Sequence, residues 1–186
     1  MDKQKSIATL NTLIETNHDR IAGYETAAEE TRDIDLRILF SHFMQTSKEC
    51  KQELASEVLR LGGVPAEPTK TGGQLLRVWM EYMTKTIGND RKSILRSCEF
   101  GEDMAVETYN KALRNNIETM SAEQHDLLNL QHSCIRSERQ QVKDMKDTSV
   151  RYKYWNTKTN AQFIQQLNQI KMKDIQKKQS RSADCR

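Results

Sequence analysis

LGGVPAEPTKTGGQLLRVWMEYMTKTIGN, residues 61–89, decides the fold of this 186-residue chain. Gly62-Gly63 supplies a left-handed cap that ends the preceding helix, and Pro65 and Pro68 keep that helix from resuming. The stretch 62–73 is the only loop of any length. Thr71-Gly-Gly-Gln74 then fits a capping box, and a short helix over about 74–87 carries Leu75, Leu76, Trp79, Met80 and Met83. Gly88 ends it, and Asn89 or Asp90 caps the next long helix. A connection this long, with a helix of its own, suits a crossover that runs back along a bundle and leaves the two flanking helices parallel.

On either side the apolar residues recur at helical spacing. A helix over about 5–31 has Ile7, Leu10, Ile14, Ile21, Tyr24 and Ala28 on its seam, interrupted by the polar Asn17. Asp33 is placed to cap the next, over about 35–61, whose seam reads Leu36, Leu39, Phe40, Phe43, Ser47, Cys50, Leu54, Val58 and Leu61. Beyond the crossover, about 90–115 carries Ile94, Leu95, Cys98, Ala105, Val106, Tyr109, Ala112 and Leu113. Ser121-Ala-Glu-Gln124 is a second capping box, opening a helix over about 122–147 with Leu127, Leu130, Cys134, Ile135, Val142 and Met145. Four helices of roughly 25 residues, each near 40 Å long, make an all-α four-helix bundle with the crossover of the ferritin-like topology. A basic C-terminal extension, 148–186, succeeds the bundle at 1–147. Tyr152, Tyr154 and Trp155 lead into its one amphipathic helix over about 158–178, with Phe163, Ile164, Leu167, Ile170 and Ile175.

Composition agrees. Seven glycines and two prolines are too few turn signals for a sandwich or barrel. No apolar run approaches a membrane span, and the N-terminus lacks an apolar signal core, so a cytoplasmic protein is expected. Cys50, Cys98, Cys134 and Cys185 include no close pair of the zinc or redox kind, and their thiols are expected reduced. The net charge of +3 is unevenly spread: residues 147–186 carry +6 and the body −3. A solvated final helix is the plain reading of that tail; contact with nucleic acid, an anionic surface or an acidic protein face is the sharper one.

Ferritin-like di-metal sites take one Glu from each of two helices and Glu-x-x-His from each of the other two. Glu15-Thr-Asn-His18 is the only Glu-x-x-His in the chain. Glu49 and Glu53, Glu99 and Glu102, and Gln131 and Glu138 stand near the middles of the other helices without the second such motif. His42 and His132 have the wrong spacing to supply it. Asn17, Glu102, Gln131 and Glu138 interrupt otherwise apolar stripes. A buried carboxylate must be paired, protonated or metal-bound. One reading is an unusual metal site centred on Glu102 and Glu138; the other is a hydrogen-bond network that fixes helix register, or carboxylates that stay wet on a flank. His18 reads as an exposed or flanking histidine, and Cys50, Cys98 and Cys134 as small core residues. No phosphate-cradling loop, nucleophile elbow or Ser/His/Asp set is visible.

Leu10-Asn-Thr-Leu-Ile-Glu15, Gly23-Tyr-Glu-Thr-Ala-Ala28, Leu61-Gly-Gly-Val-Pro65, Trp79 and above all Cys98-Glu-Phe-Gly-Glu-Asp-Met-Ala-Val106 with Tyr109 and Ala112-Leu113 carry a resemblance. Over about 5–147 the chain resembles a bacterial ferritin-like four-helix-bundle family of unknown function. The resemblance implies the fold and little activity. Glu25, Glu99 and Glu102 match family positions, so the metal-ligand candidates are Glu25, Glu99, Glu102, Glu138 and His18. Where relatives carry a histidine on the last helix this chain has Arg139, which could neutralise the adjacent Glu138 instead.

Three functions stand as expectations. The first is a non-catalytic bundle protein, without cofactor, that acts through self-association or a protein partner at its C-terminal helix, with a stress role in view. The second is a di-metal carboxylate oxidase or metal store holding iron or manganese. The third is nucleic-acid or anionic-surface binding through the basic tail.

Overall fold

Five α-helices make up the regular structure of the described residues: α1 (Lys3–Glu30), α2 (Ile34–Arg60), α3 (Gln74–Lys85), α4 (Arg91–Asn115) and α5 (Ala122–Asp147). The structure is a computed structural model and describes residues 2–69, 72–85, 90–115 and 119–148. The segment expected as a helix at 158–178, Tyr152, Tyr154, Trp155, Cys185, Thr71, Gly88 and Asn89 lie outside the described residues. No described helix is long and apolar enough to cross a membrane.

The helix ends are made by side chains that satisfy first-turn amides. Asp2 accepts from the Lys5 N–H at 3.2 Å, and Asp90 from those of Lys92 and Ser93 at 2.9 and 3.1 Å. The box at the start of α5 forms both ways: Ser121 Oγ accepts from the Gln124 N–H, and Gln124 Oε1 from the Ser121 N–H. Gly62, at φ +82°, closes α2 in the left-handed region. Asp33 sits at the N-cap of α2 without capping it; its carboxylate accepts from Arg91 instead, at 2.7 Å. The start of α3 is capped from another helix: Asp19 of α1 accepts from the N–H groups of Gly73 and Leu76 at 2.6 and 3.1 Å.

α1 packs along α2 and α4 along α5, as two hairpins. Arg91, at the start of α4, pairs with Asp33 and Asp35, at the start of α2, so the two N-termini share one end of the bundle. Asn17 meets Tyr109 and Arg20 meets Glu102, so α1 and α4 are antiparallel. α2 and α4 are therefore parallel, and the chain between them is a crossover.

Trp79 of α3 fixes that crossover to the bundle. It is fully buried, edge-on to Tyr24 with ring centroids 5.4 Å apart. A Cβ on Gly23 of α1 would come within 2.3 Å of its ring, and one on Gly101 of α4 within 2.5 Å. Only glycine at both positions lets an indole lie between the two helices.

Two seams differ from the sequence reading. α1 buries Leu10, Leu13, Ile14, Asn17, Arg20, Tyr24 and Ala27, and Ile21 stays half-buried. α5 buries Gln124, Leu128, Gln131, Ile135, Glu138 and Val142, leaving Leu130 and Cys134 exposed. Cys134 is thus not a core residue, while Cys50 and Cys98 are. One position along a helix turns the side chain by about 100°. The stripe through Leu127, Leu130 and Cys134 therefore lies beside the true seam, whose polar members are held inward by hydrogen bonds to the other helices.

Candidate functional site

Polar side chains fill the middle of the bundle in two adjoining layers, each drawing on all four long helices. The first is built on Arg20 of α1, whose guanidinium is fully buried. Nε and Nη2 both donate to Glu102 Oε1 of α4, at 3.0 and 2.9 Å. Nη2 also donates to Glu138 Oε2 of α5 at 2.6 Å, and Nη1 to Ser47 Oγ of α2 at 2.8 Å. Tyr24 donates its hydroxyl proton to the same Glu102 oxygen at 2.5 Å.

The second layer lies one turn away. Asn17 Nδ2 donates to the Tyr109 hydroxyl at 2.8 Å, and Tyr109 donates to Gln131 Oε1 at 2.9 Å. Gln131 Nε2 donates to Glu53 Oε2 at 2.8 Å and to the Cys50 carbonyl at 3.2 Å. A slip of one helix by a turn would break partners on three others, so the layers specify register.

The electrostatics are those of one cation facing two carboxylates. Burial alone would lower the Arg20 pKa; the charges of Glu102 and Glu138 outweigh it, and the net shift is upward. Burial raises Glu138 above the usual carboxylate range, with Arg20 pulling the other way and Glu102 adding to the rise. Tyr24 is pushed well up, by burial first and by the Glu102 charge second. Burial likewise raises the Cys98 thiol, with Glu102 adding, and lifts Cys50 to about 12. Neither buried thiol is a nucleophile at neutral pH.

Of the candidate ligands, Glu102 and Glu138 come together, bridged by Arg20. Glu25 is exposed. Glu99 pairs with Lys146 and lies 3.9 Å from Arg139. His18 is half-buried beside the Ala66 backbone, where burial and then Lys51 lower its pKa. Arg139 turns to Asp103, at 2.7 Å, so the cation that neutralises Glu138 is not its sequence neighbour. His42 Nδ1 stands 3.9 Å from Glu138 Oε1, at the exposed edge of the cluster.

These residues do not fit a pair of metal ions. Glu102 Oε2 is a buried oxygen with no donor among the described residues. It is one acceptor, however, and among the described residues Glu138 is the one other carboxylate in its layer. A permanent cation already lies 2.9 and 2.6 Å from their other oxygens, where a metal would meet like charge. No three His, Cys, Asp or Glu side chains among the described residues converge as a set that could hold a metal ion. What the arrangement does chemically is hold four helices through charge-assisted hydrogen bonds.

Solved structures share the fold. A mutant Dps1 from Mycobacterium smegmatis superposes with a TM-score of 0.65 at 12% identity, covering 77% of this chain and 96% of that one. The dodecameric, bacterioferritin-related thioferritin from Bacteroides fragilis gives 0.64 at 17% identity, covering 82% of this chain and 90% of that one. The DPS protein from Vibrio cholerae, of the ferritin-like diiron-carboxylate superfamily, gives 0.59 at 16% identity, covering 78% and 89%. At these identities the likeness establishes the fold alone. No curated protein matches the chain in sequence. A family model described as Domain of unknown function (DUF2383) matches residues 5–115.

Proposed function

Because this chain belongs to the family Domain of unknown function (DUF2383), whose name assigns no activity, we propose its function from the bundle's centre: a non-catalytic ferritin-like protein that acts by self-association. One observation carries this reading. The Arg20 guanidinium bridges Glu102 and Glu138 where a ferritin-like enzyme would need a cation-free cluster of ligands. The reacting centre is replaced by a structural one, which leaves the outer surface as the place where the protein works. The dodecameric state of the Bacteroides fragilis relative supports assembly as the use of this fold here.

The test is elemental mass spectrometry on the full chain after loading with iron(II) or manganese(II) and desalting. The expected result is no stoichiometric metal and no oxygen uptake on iron(II) addition. About two ions per chain, the complement of the two-metal carboxylate sites, lost in Glu102→Ala, would overturn the reading and restore the di-metal oxidase or metal store. A light-scattering mass equal to one chain at every concentration would remove self-association.

A further inference from the structure

Five large apolar side chains stay exposed among the described residues, and three lie on one face of α2: Ile34 at 73%, Ile38 at 56% and Leu59 at 62%. That face points away from the core stripe of Phe40, Phe43, Ser47 and Leu54, with the half-buried Ala55 at its margin touching the core. It keeps a strict alternation of three- and four-residue steps through positions 34, 38, 41, 45, 48, 52, 55 and 59. This is the repeat of about 3.5 residues that lets two helices wind around each other. In a chain that is 30% charged, the stripe holds one charge, Lys48, between the neutral Gln45 and Gln52. Depletion of charge marks the centre of an interface rather than a solvated face.

The stripe is apolar at both ends and polar in the middle, so it reads alike in either direction. Two copies running parallel would set Lys48 against the partner's Lys48. Antiparallel copies place Lys48 against the partner's Gln45. They also place Ile34 against the partner's Leu59 and Ile38 against the partner's Ala55, each contact occurring twice. On the flank, His42 then lies beside the partner's Glu49. The Gln45 amide donates to Glu49 within its own helix at 2.8 Å, which leaves the Gln45 carbonyl oxygen for the partner's ammonium. The 27-residue α2 offers a seam about 40 Å long. We propose that the outward face of α2 is an isologous docking surface for a second copy of this chain, joined antiparallel about a two-fold axis between residues 46 and 47. This rests on the self-association reading above and names its surface.

Sedimentation equilibrium of the full chain across a concentration series tests it, with circular dichroism as the check that each variant folds. Ile38→Glu should weaken self-association at least about 100-fold, because the carboxylate is desolvated twice per dimer. Lys48→Leu should tighten it by about tenfold, by removing the one charge from the seam. Leu130→Glu, on the exposed side of α5, should leave it unchanged. If the wild type assembles but Ile38→Glu and Lys48→Leu behave as it does, the α2 seam is overturned and self-association through another face survives. If the wild type is a monomer throughout, both are overturned.

Discussion

Replacing Arg20 by methionine is the sharpest perturbation of this bundle. Methionine keeps much of the length and none of the charge. The change removes donors at 3.0 and 2.9 Å from Glu102, 2.6 Å from Glu138 and 2.8 Å from Ser47. Glu102 and Glu138 are 0% and 4% exposed, so bulk water cannot take over those bonds. Breaking one side of a buried ion pair costs about 3–5 kcal/mol, mostly because the remaining charge is left uncompensated. For a domain of this size about 1 kcal/mol moves the melting midpoint by about 2–4 °C, so a fall of roughly 6–20 °C is expected. The loss should shrink in acid, where the Glu138 carboxylate, its pKa raised by burial, takes up a proton. Adding Glu102→Gln and Glu138→Gln should recover most of it, since neutral side chains need no cation. Thermal and urea unfolding followed by circular dichroism measure both effects. A loss under about 1 kcal/mol for Arg20→Met, or a triple variant no more stable than the single, would refute the view that Arg20 is the counter-ion of the centre.

Arg20→Ala, which opens space beside Glu102, Glu138, Tyr24 and Ser47, should create an oxygen-lined cation site. Manganese(II) at about 100 times its dissociation constant should then stabilise the variant by about 2.7 kcal/mol in a thermal shift; equal shifts in variant and wild type would count against it. Gly101→Ala should cost about 1–3 kcal/mol by overpacking against Trp79, and an unchanged urea midpoint would show that the crossover yields freely. For Glu138, burial raises the pKa above 4.5, so the native state holds this proton more tightly than the unfolded chain does. Its contribution is full below 4.5 and lost as pH rises through the raised value. Glu138→Gln should therefore decline less than the wild type in urea midpoint as pH rises above about 4.5, whereas parallel profiles would contradict the assignment.

Much of this architecture is legible in the residues. Gly62, the two prolines and Trp79 mark the crossover, and the capping box at Ser121 starts α5 where the structure does. The polar seam positions Asn17, Glu102, Gln131 and Glu138 are the ones that meet at the centre. Arg20 is not found by the same reading, because tracing apolar residues along α1 steps from Ile14 to Ile21 and passes over it. Yet it lies three residues after Asn17 and four before Tyr24, on the same stripe. The signal is present in another form: two carboxylates on facing seams demand a cation, and Arg20 is the basic residue on the remaining polar seam. The α5 seam is misread for the complementary reason. Leu127, Leu130 and Cys134 are more apolar than Gln131 and Glu138, but the inward face is chosen by bonds to Arg20, Tyr109 and Glu53 that exist only between helices. Gly23 and Gly101 likewise have no local reason to be glycine; their reason is an indole supplied from 56 and 22 residues away.

The central cation is part of the polypeptide. It arrives with each copy at synthesis, in a fixed ratio of one to one, and no chelator or change of oxidation state can remove it. Charge balance at the middle of this bundle is therefore settled within the chain itself, by Arg20 against Glu102 and Glu138.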